Sequence, residues 1–132
     1  AIIAILAAIA IPAYNNYITE ARISKVTEHY DSAVRVIRAT LSKNAATEAR
    51  GGTPSPATPT TGAGWIQNII DPDSKSTAPR GSGPGFVSNA AGNADGAVGV
   101  EQATGGRIVI SRPDFDGVFG SVATTGIEPT GI

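Results

Sequence analysis

The N-terminal run of residues 1–13 contains only alanine, isoleucine, leucine and one proline, so it presents no polar side chain. As a helix at ~1.5 Å per residue the run would cover about 20 Å, which is short of the roughly 30 Å of a bilayer core. A secretory signal peptide fits poorly, because no basic flank precedes the run and no small-residue cleavage site follows it. A buried core helix is the simplest alternative, provided that the rest of the chain can cover it.

From residue 14 to about residue 50 the pattern becomes that of an amphipathic helix. Apolar residues recur at three- and four-residue spacing and form one stripe, and these are Ile23, Val26, Tyr30, Ala33, Val34, Ile37 and Leu41. Gly51-Gly52 is the expected end of the helix. Residues 1–50 therefore predict one long helix.

A single helix over residues 1–50 would be about 75 Å long. A compact globule of 132 residues has a radius of gyration of about 14 Å, so roughly half of the helix must project from it. The projecting half is the wholly apolar one, and exposed apolar surface of that size marks a membrane or partner surface. We therefore expect a bilayer, or further copies of the chain, around residues 1–13.

The sequence AIIAILAAIAIPAYNNYI at residues 1–18 resembles the N-terminal helix of bacterial type IV pilins and the related pseudopilins. In that family the mature chain starts with an N-methylated aromatic residue and a short apolar run that holds one glutamate. The resemblance implies that about ten such residues precede Ala1, which would lengthen the apolar helix to roughly 34 Å, enough to span a bilayer. Many pilins close a C-terminal loop with a disulfide, whereas this chain has no cysteine.

The resemblance implies a structural subunit, a major pilin, of a type IV pilus or fimbrium, which is a helical filament of identical subunits on the extracellular cell surface. It also implies an inner-membrane pool, separate pilus assembly machinery, and adhesion, twitching motility or DNA uptake as outputs. The residues of the filament core would be Ala1, Ile2, Ile3, Ala4, Ile5, Leu6, Ala7, Ala8, Ile9, Ala10, Ile11 and Pro12. The alternatives are a major pseudopilin of type II secretion, which forms a short periplasmic piston, and a membrane-anchored binding or enzymatic domain.

Pro12 is the expected break in the helix once subunits assemble. It has no amide hydrogen, and its ring clashes with the carbonyl of Ala8 in a regular helix. Pilins in filaments often melt just before this proline, so the resemblance favours an extended or irregular segment between residues 4 and 12. We expect helix to resume by Ala13.

The remaining chain predicts a small head behind an apolar stem. We define the stem as residues 1–22 and the head as residues 23–132, with an amphipathic helix half at 23–50, a connecting loop at 51–84, and a sheet with a C-terminal loop at 85–132. Helical spacing of Trp65, Ile66, Ile69 and Ile70 predicts a short helix that lays the single tryptophan on the core. Short apolar runs at 86–87, 97–100, 107–112 and 118–124, separated by turn residues, predict an antiparallel meander of three or four strands. The predicted fold class is α+β, a long N-terminal helix packed on a small antiparallel β-sheet.

Residues 53–61 read TPSPATPTT, a composition that excludes a helix or a central strand. The segment is either an extended linker or an O-glycosylated loop. In the second case the acceptor hydroxyls would belong to Thr53, Ser55, Thr58, Thr60 and Thr61.

The sequence predicts no enzyme, no cofactor and no metal site. His29 is the single histidine, and we expect it on a solvated or interface face of the helix. Residues 81–85 are rich in glycine but lack the Gly-Lys-Ser/Thr of a phosphate loop. Two Asp-x-Asp pairs, at 71/73 and 114/116, begin like a calcium loop without its later ligands, so turns are favoured and calcium is the minority alternative.

The charge pattern gives no basic stripe for nucleic acid. The net charge is −1, and the helix mixes acidic residues with its basic ones, which are Arg22, Lys25, Arg35, Arg38 and Lys43. A solvated face or intersubunit salt bridges are the favoured interpretations, and no nucleic-acid contact is evident.

Overall fold

The computed structural model describes residues 1–117, 119 and 121–128. Its helices are α1 (Ile2–Ala49) and the short α2 (Gly62–Trp65), which continues into a π-helical turn, Ile66–Ile70. Its strands are β1 (Phe86–Val87), β2 (Val98–Gln102), β3 (Ile108–Arg112) and β4 (Ala123–Ile127), with a 3-10 turn, Phe115–Gly117, before β4. One long helix packed on one small sheet confirms the α+β class.

Helix α1 ends where the paired glycines predict. Gly51 adopts a left-handed φ of 78°, which glycine reaches without the steric cost of a Cβ. Its N–H donates to the carbonyl of Glu48 at 2.9 Å, and that of Gly52 donates to Thr47 at 2.9 Å. These two bonds satisfy carbonyls of the last turn that have no partner within the helix.

The four strands lie in the order β1-β2-β3-β4. Strands β2, β3 and β4 form the predicted antiparallel meander, with Val100 opposite Ile110 and Ile110 opposite Thr125. Strand β1 instead runs parallel to β2, with Phe86 opposite Val98. The prediction of an all-antiparallel sheet is therefore wrong at this edge, and the sheet is mixed.

The loop of residues 88–97 makes the parallel pairing possible, because two parallel strands need a connection that returns to the starting end. Side chains hydrogen-bond its backbone: Asn89 Oδ1 accepts the N–H of Ala91 at 2.9 Å, and Asn93 Oδ1 accepts the N–H of Ala97 at 3.0 Å. Gly96 turns the chain with a φ of 88°. The turn residues in this loop correctly predicted that a turn separates the two strands, but they carry no information about whether the strands run parallel or antiparallel.

The core lies between α1 and the sheet, closed at one end by α2. Trp65 is fully buried, as predicted, and Ile108 and Ile110 face inward while Val109 between them is half-buried. Gly62 fits against β2 so closely that a Cβ there would collide with the carbonyl oxygen of Val100. The buried cluster consists of Ala33, Ile37, Leu41, Trp65, Phe86, Val98, Val100, Ile108, Ile110 and Ile127.

Strand β4 lies later in the chain than the run at 118–124 predicts. Residues 118 and 120 lie outside the described residues, and the strand pairs through Ala123–Ile127. Phe119, within the predicted run, instead lies under the guanidinium of Arg112, 3.8 Å from its ring centroid. The N–H of Phe119 also donates to Asp114 Oδ1 at 3.1 Å. These contacts hold a loop where apolar composition predicted a strand.

Candidate functional site

Residues 1–17 of the stem are not covered by any other part of the described chain. Each of residues 1–17 is exposed, whereas the first fully buried side chain of α1 is Val26. Among the described residues, every exposed large apolar side chain except Val122 lies in the stem, and these are Ile2, Ile3, Ile5, Leu6, Ile9, Ile11, Tyr14 and Tyr17. Apolar surface concentrated in one segment to this degree marks a site of contact with lipid or protein.

Residues 1–13 of the stem are apolar around the whole circumference of the helix. Ile3, Ile5 and Ile11 are 82%, 63% and 59% exposed, and they point to different sides of the helix because successive residues turn by about 100°. A helix that is apolar on all sides is stable only when it is surrounded by apolar material. One helix in the described residues, α1, is long and apolar enough to cross a membrane by length and composition, and none of its most apolar segment is buried in the chain.

Pro12 lies inside α1, which continues without a break from Ile2 to Ala49 in the single chain. The missing amide hydrogen removes one helical bond to the carbonyl of Ala8. The structure thus brings the twelve residues named as the filament core onto one exposed helical rod. The predicted break at Pro12 concerns assembled subunits and stays a prediction.

The Ser/Thr/Pro segment at 53–61 lies on the surface next to the end of α1. All five predicted acceptor residues are exposed, but only some of their hydroxyl groups take part in hydrogen bonds with described residues. Thr58 Oγ1 accepts a hydrogen bond from Asn44 Nδ2 at 2.9 Å, and Thr61 Oγ1 accepts the N–H of Gly64 at 3.0 Å, capping α2. The hydroxyls of Thr53, Ser55 and Thr60 have no hydrogen-bond partner among the described residues.

Asn44, in α1, holds this loop in place, and sequence analysis missed it. It is a buried polar residue, 3% exposed, and its bond to Thr58 fixes the segment against α1. The position could have been found, because Asn44 follows Leu41 by three residues and so continues the buried stripe. A polar residue on a buried stripe indicates a fixed hydrogen-bond partner.

Of the two environments expected for His29, a fully solvated face is wrong, because the residue is half-buried, and an interface stays a prediction. Its ring lies half-buried, 5.1 Å from the ring of Phe86 between centroids, and Nδ1 is buried without a hydrogen-bond partner in the described residues. Burial lowers the pKa of His29 below its ordinary 6.5, and the charge of Lys25 lowers it further, while Glu28 and Asp71 oppose the shift. The sequence does not reveal this environment, because the contact joins residues far apart in the chain.

The first aspartate of each pair accepts hydrogen bonds from nearby backbone N–H groups. Both carboxylate oxygens of Asp71 accept backbone hydrogen bonds, one from the N–H of Lys75 at 3.1 Å and one from the N–H of Ser76 at 3.0 Å. Asp114 Oδ1 is likewise occupied by a backbone N–H, and the side chain of Asp116 lies outside the described residues. Within the described residues no three His, Asp or Glu side chains are grouped to hold a metal. Residues 81–85 form a loop whose Pro84 pairs with Thr77.

No protein-family model matches the chain, and no curated protein or solved structure matches it. The likeness to type IV pilins rests on residues 1–18 and on the architecture, a long apolar N-terminal helix packed on a small mixed sheet.

Proposed function

We propose that this protein is the structural subunit of a type IV pilus-like filament and that it polymerises through its stem. One observation carries the proposal: a folded head with a buried core is continuous with a rod whose large apolar side chains are all exposed from Ile2 to Tyr17. Such a rod needs lipid or other copies of itself. The pilin-like sequence of residues 1–18 favours both, in succession.

The proposed mechanism of assembly depends on how little the apolar burial of the stem changes between the membrane and the filament. In a membrane pool the stem lies among lipid tails, and in the filament it lies among other stems, so the transfer costs little hydrophobic free energy. Alanines at positions 1, 4, 7, 8 and 10 allow neighbouring helices to approach closely. Contacts between different surfaces of identical subunits do not close, so they generate an open helical polymer.

The proposal assigns the described residues a structural role and no catalytic one. Adhesion, twitching motility and DNA uptake are the outputs that a surface filament of this kind supports. If the segment at 53–61 carries O-linked sugar, we expect the sugar on Thr53, Ser55 or Thr60, whose hydroxyls are free. Intact mass spectrometry of the subunit and fragmentation of this segment test the assignment. A mass equal to the bare polypeptide leaves the segment as an extended linker.

Electron cryo-microscopy of surface filaments from the native cell tests the proposal as a whole. We expect long thin filaments made mainly of this chain, with residues 1–13 packed at the centre and the sheets outside. Short assemblies confined to the periplasm would favour the pseudopilin alternative. A chain that stays monomeric in the membrane would favour a membrane-anchored binding domain and contradict the proposal.

A further inference from the structure

One side of α1 in the head faces away from the sheet and carries two pairs of opposite charge. The buried residues Val26, Ala33, Ile37, Leu41 and Asn44 mark the side that packs inward. At about 100° per residue, Glu28, Asp31, Arg35 and Arg38 all fall on the opposite side of the helix. All four are exposed.

The acidic pair and the basic pair have the same spacing. Glu28 and Asp31 are three residues apart, as are Arg35 and Arg38, and each acidic residue precedes its basic counterpart by seven positions. Seven residues are close to two helical turns, so the basic pair lies almost directly above the acidic pair. The distance between the two pairs along the helix is about 10.5 Å at 1.5 Å per residue.

These four charges form no ion pair with one another or with other described residues. Asp31 and Arg35 stand at i and i+4, the spacing at which an ion pair commonly forms on a helix. In the described part of the chain, however, ion pairs join Lys75 to Asp73 and Arg107 to Glu128, and none involves these four side chains. Shallow grooves of about 390 Å³ and 300 Å³ flank Arg35 and leave it accessible.

We propose that this face binds the same face of a second copy displaced by about 10.5 Å, so that Glu28 and Asp31 of one copy meet Arg35 and Arg38 of the next. The inference rests on the proposed filament, in which all copies have one orientation and share one axis. The same face of two such copies can meet where that face points toward the axis. An axial step of seven residues then matches both pairs at once.

The charges set the register rather than supply the affinity. Exposed ion pairs contribute little to affinity, whereas like charges forced together at an interface oppose binding strongly. The stem brings the copies together, and the two charge pairs disfavour registers in which arginine meets arginine or carboxylate meets carboxylate. Changing one pair to the charge of the other should therefore place like charges opposite each other and disfavour the register that the parent chain adopts.

Two full-chain variants test the register. The acidic variant carries Arg35→Glu and Arg38→Glu, and the basic variant carries Glu28→Arg and Asp31→Arg. Each is expressed in the native cell, alone or with the other, and surface filaments are quantified by electron microscopy. We expect each variant alone to lose filament mass at least about tenfold, and the two together to recover it, because every acidic copy can then contact basic ones.

Charge-matched controls separate the register from net charge. Lys43→Glu with Arg50→Glu changes the net charge as the acidic variant does, and Glu48→Arg with Glu101→Arg matches the basic variant. All four control positions are exposed, and both controls should assemble like the parent chain. Far-UV circular dichroism and thermal unfolding of each variant should match the parent, since no buried group changes.

The outcomes separate the register from the filament itself. Normal assembly of either variant alone overturns the register and leaves the filament proposal standing. So does failure of the mixture while the parent chain assembles, because mixing cannot restore pairs that act within one chain. Failure of the parent chain to form filaments overturns the proposed function and the register together.

Discussion

The two halves of α1 differ in the burial of their apolar side chains. C-terminal to residue 23, Ile37 of α1 is fully buried against the sheet, whereas Ile9 in the stem is 69% exposed. The same residue type in the same continuous helix is therefore core in one half and contact surface in the other. Position relative to the sheet, not hydrophobicity, decides which role an apolar residue has.

The comparison implies that the head does not depend on the stem for its fold. Its core draws on α1 only from Val26 onward, and the remaining buried residues come from α2, the sheet and the connecting loops. The surroundings of the stem can therefore change from lipid to protein without repacking of the head.

The largest expected effect is the loss of assembly on placing a charge in the stem. Ala8→Asp should abolish filaments, because an unpaired carboxylate buried among apolar helices costs several kcal/mol in every subunit. The head of this variant should unfold like that of the parent chain. Ala103→Asp, at an exposed position between β2 and β3, is the matched control and should assemble normally. Normal filament yield from Ala8→Asp would show that the stem is not the filament core.

The next effect concerns matched truncations in the two halves. Ile37→Ala should lower the free energy of unfolding by about 2–5 kcal/mol, since it empties space in a packed core. Ile9→Ala should leave it unchanged within about 0.5 kcal/mol, because Ile9 has no packing partner in the single chain. Denaturant unfolding of the monomer in mild detergent compares the two variants. Equal losses would mean that the stem packs on the head.

A third experiment asks whether the halves stay one helix after assembly. We expect residues 4–12 to be extended or irregular in the filament, which would lengthen the stem by up to about 14 Å. A density map of the filament checks this directly. Pro12→Ala should restore helix there, because it returns the amide hydrogen bonded to the carbonyl of Ala8. Unbroken helical density from Ala4 to Ala13 in the unsubstituted filament would leave Pro12 as a kink only.

The smallest expected effect is a pH dependence confined to the head. Because the folded pKa of His29 is lowered, the unfolded chain binds more protons once the pH falls below about 6.5. The contribution of neutral His29 to stability is thus complete above that pH and is lost as the pH falls through the lowered value.

Unfolding free energies measured from about pH 7.5 down to about pH 5 should therefore fall more steeply for the parent chain than for His29→Gln. Lys25, Glu28 and Asp71 face His29 and are unchanged in both proteins, so they serve as a common background. Identical slopes would show that His29 titrates as it does in the unfolded chain.

Sequence reasoning succeeded where the evidence was local and failed where it was distant. The stripe through Ile37 and Leu41, the stop at Gly51 and the helical spacing around Trp65 all lie within a few residues of what they predict. The parallel direction of β1 depends instead on pairing across residues 88–97, which no local periodicity records. The position of strand β4 was predicted wrongly because Ala123–Ile127 shows only weak alternation and only Ile127 in it is fully buried.

The candidate site divides in the same way. The apolar stem was predictable, because a run without polar side chains needs no knowledge of its neighbours. The contact of His29 with Phe86 and the bond between Asn44 and Thr58 were not, because each partner is chosen by the tertiary fold. Nor could the unpaired state of Asp31 and Arg35 be predicted, since their spacing by itself favours an intrahelical pair.

The stacking of Arg112 on Phe119 has a consequence for when the head can fold. The C-terminal loop is held by that stacking and by the carboxylate of Asp114, in a chain that has no cysteine. Where a disulfide closes such a loop, folding waits for an oxidant and an isomerase over seconds to hours. Here the contacts that hold the loop form without thiol chemistry, so no oxidant is needed to close it.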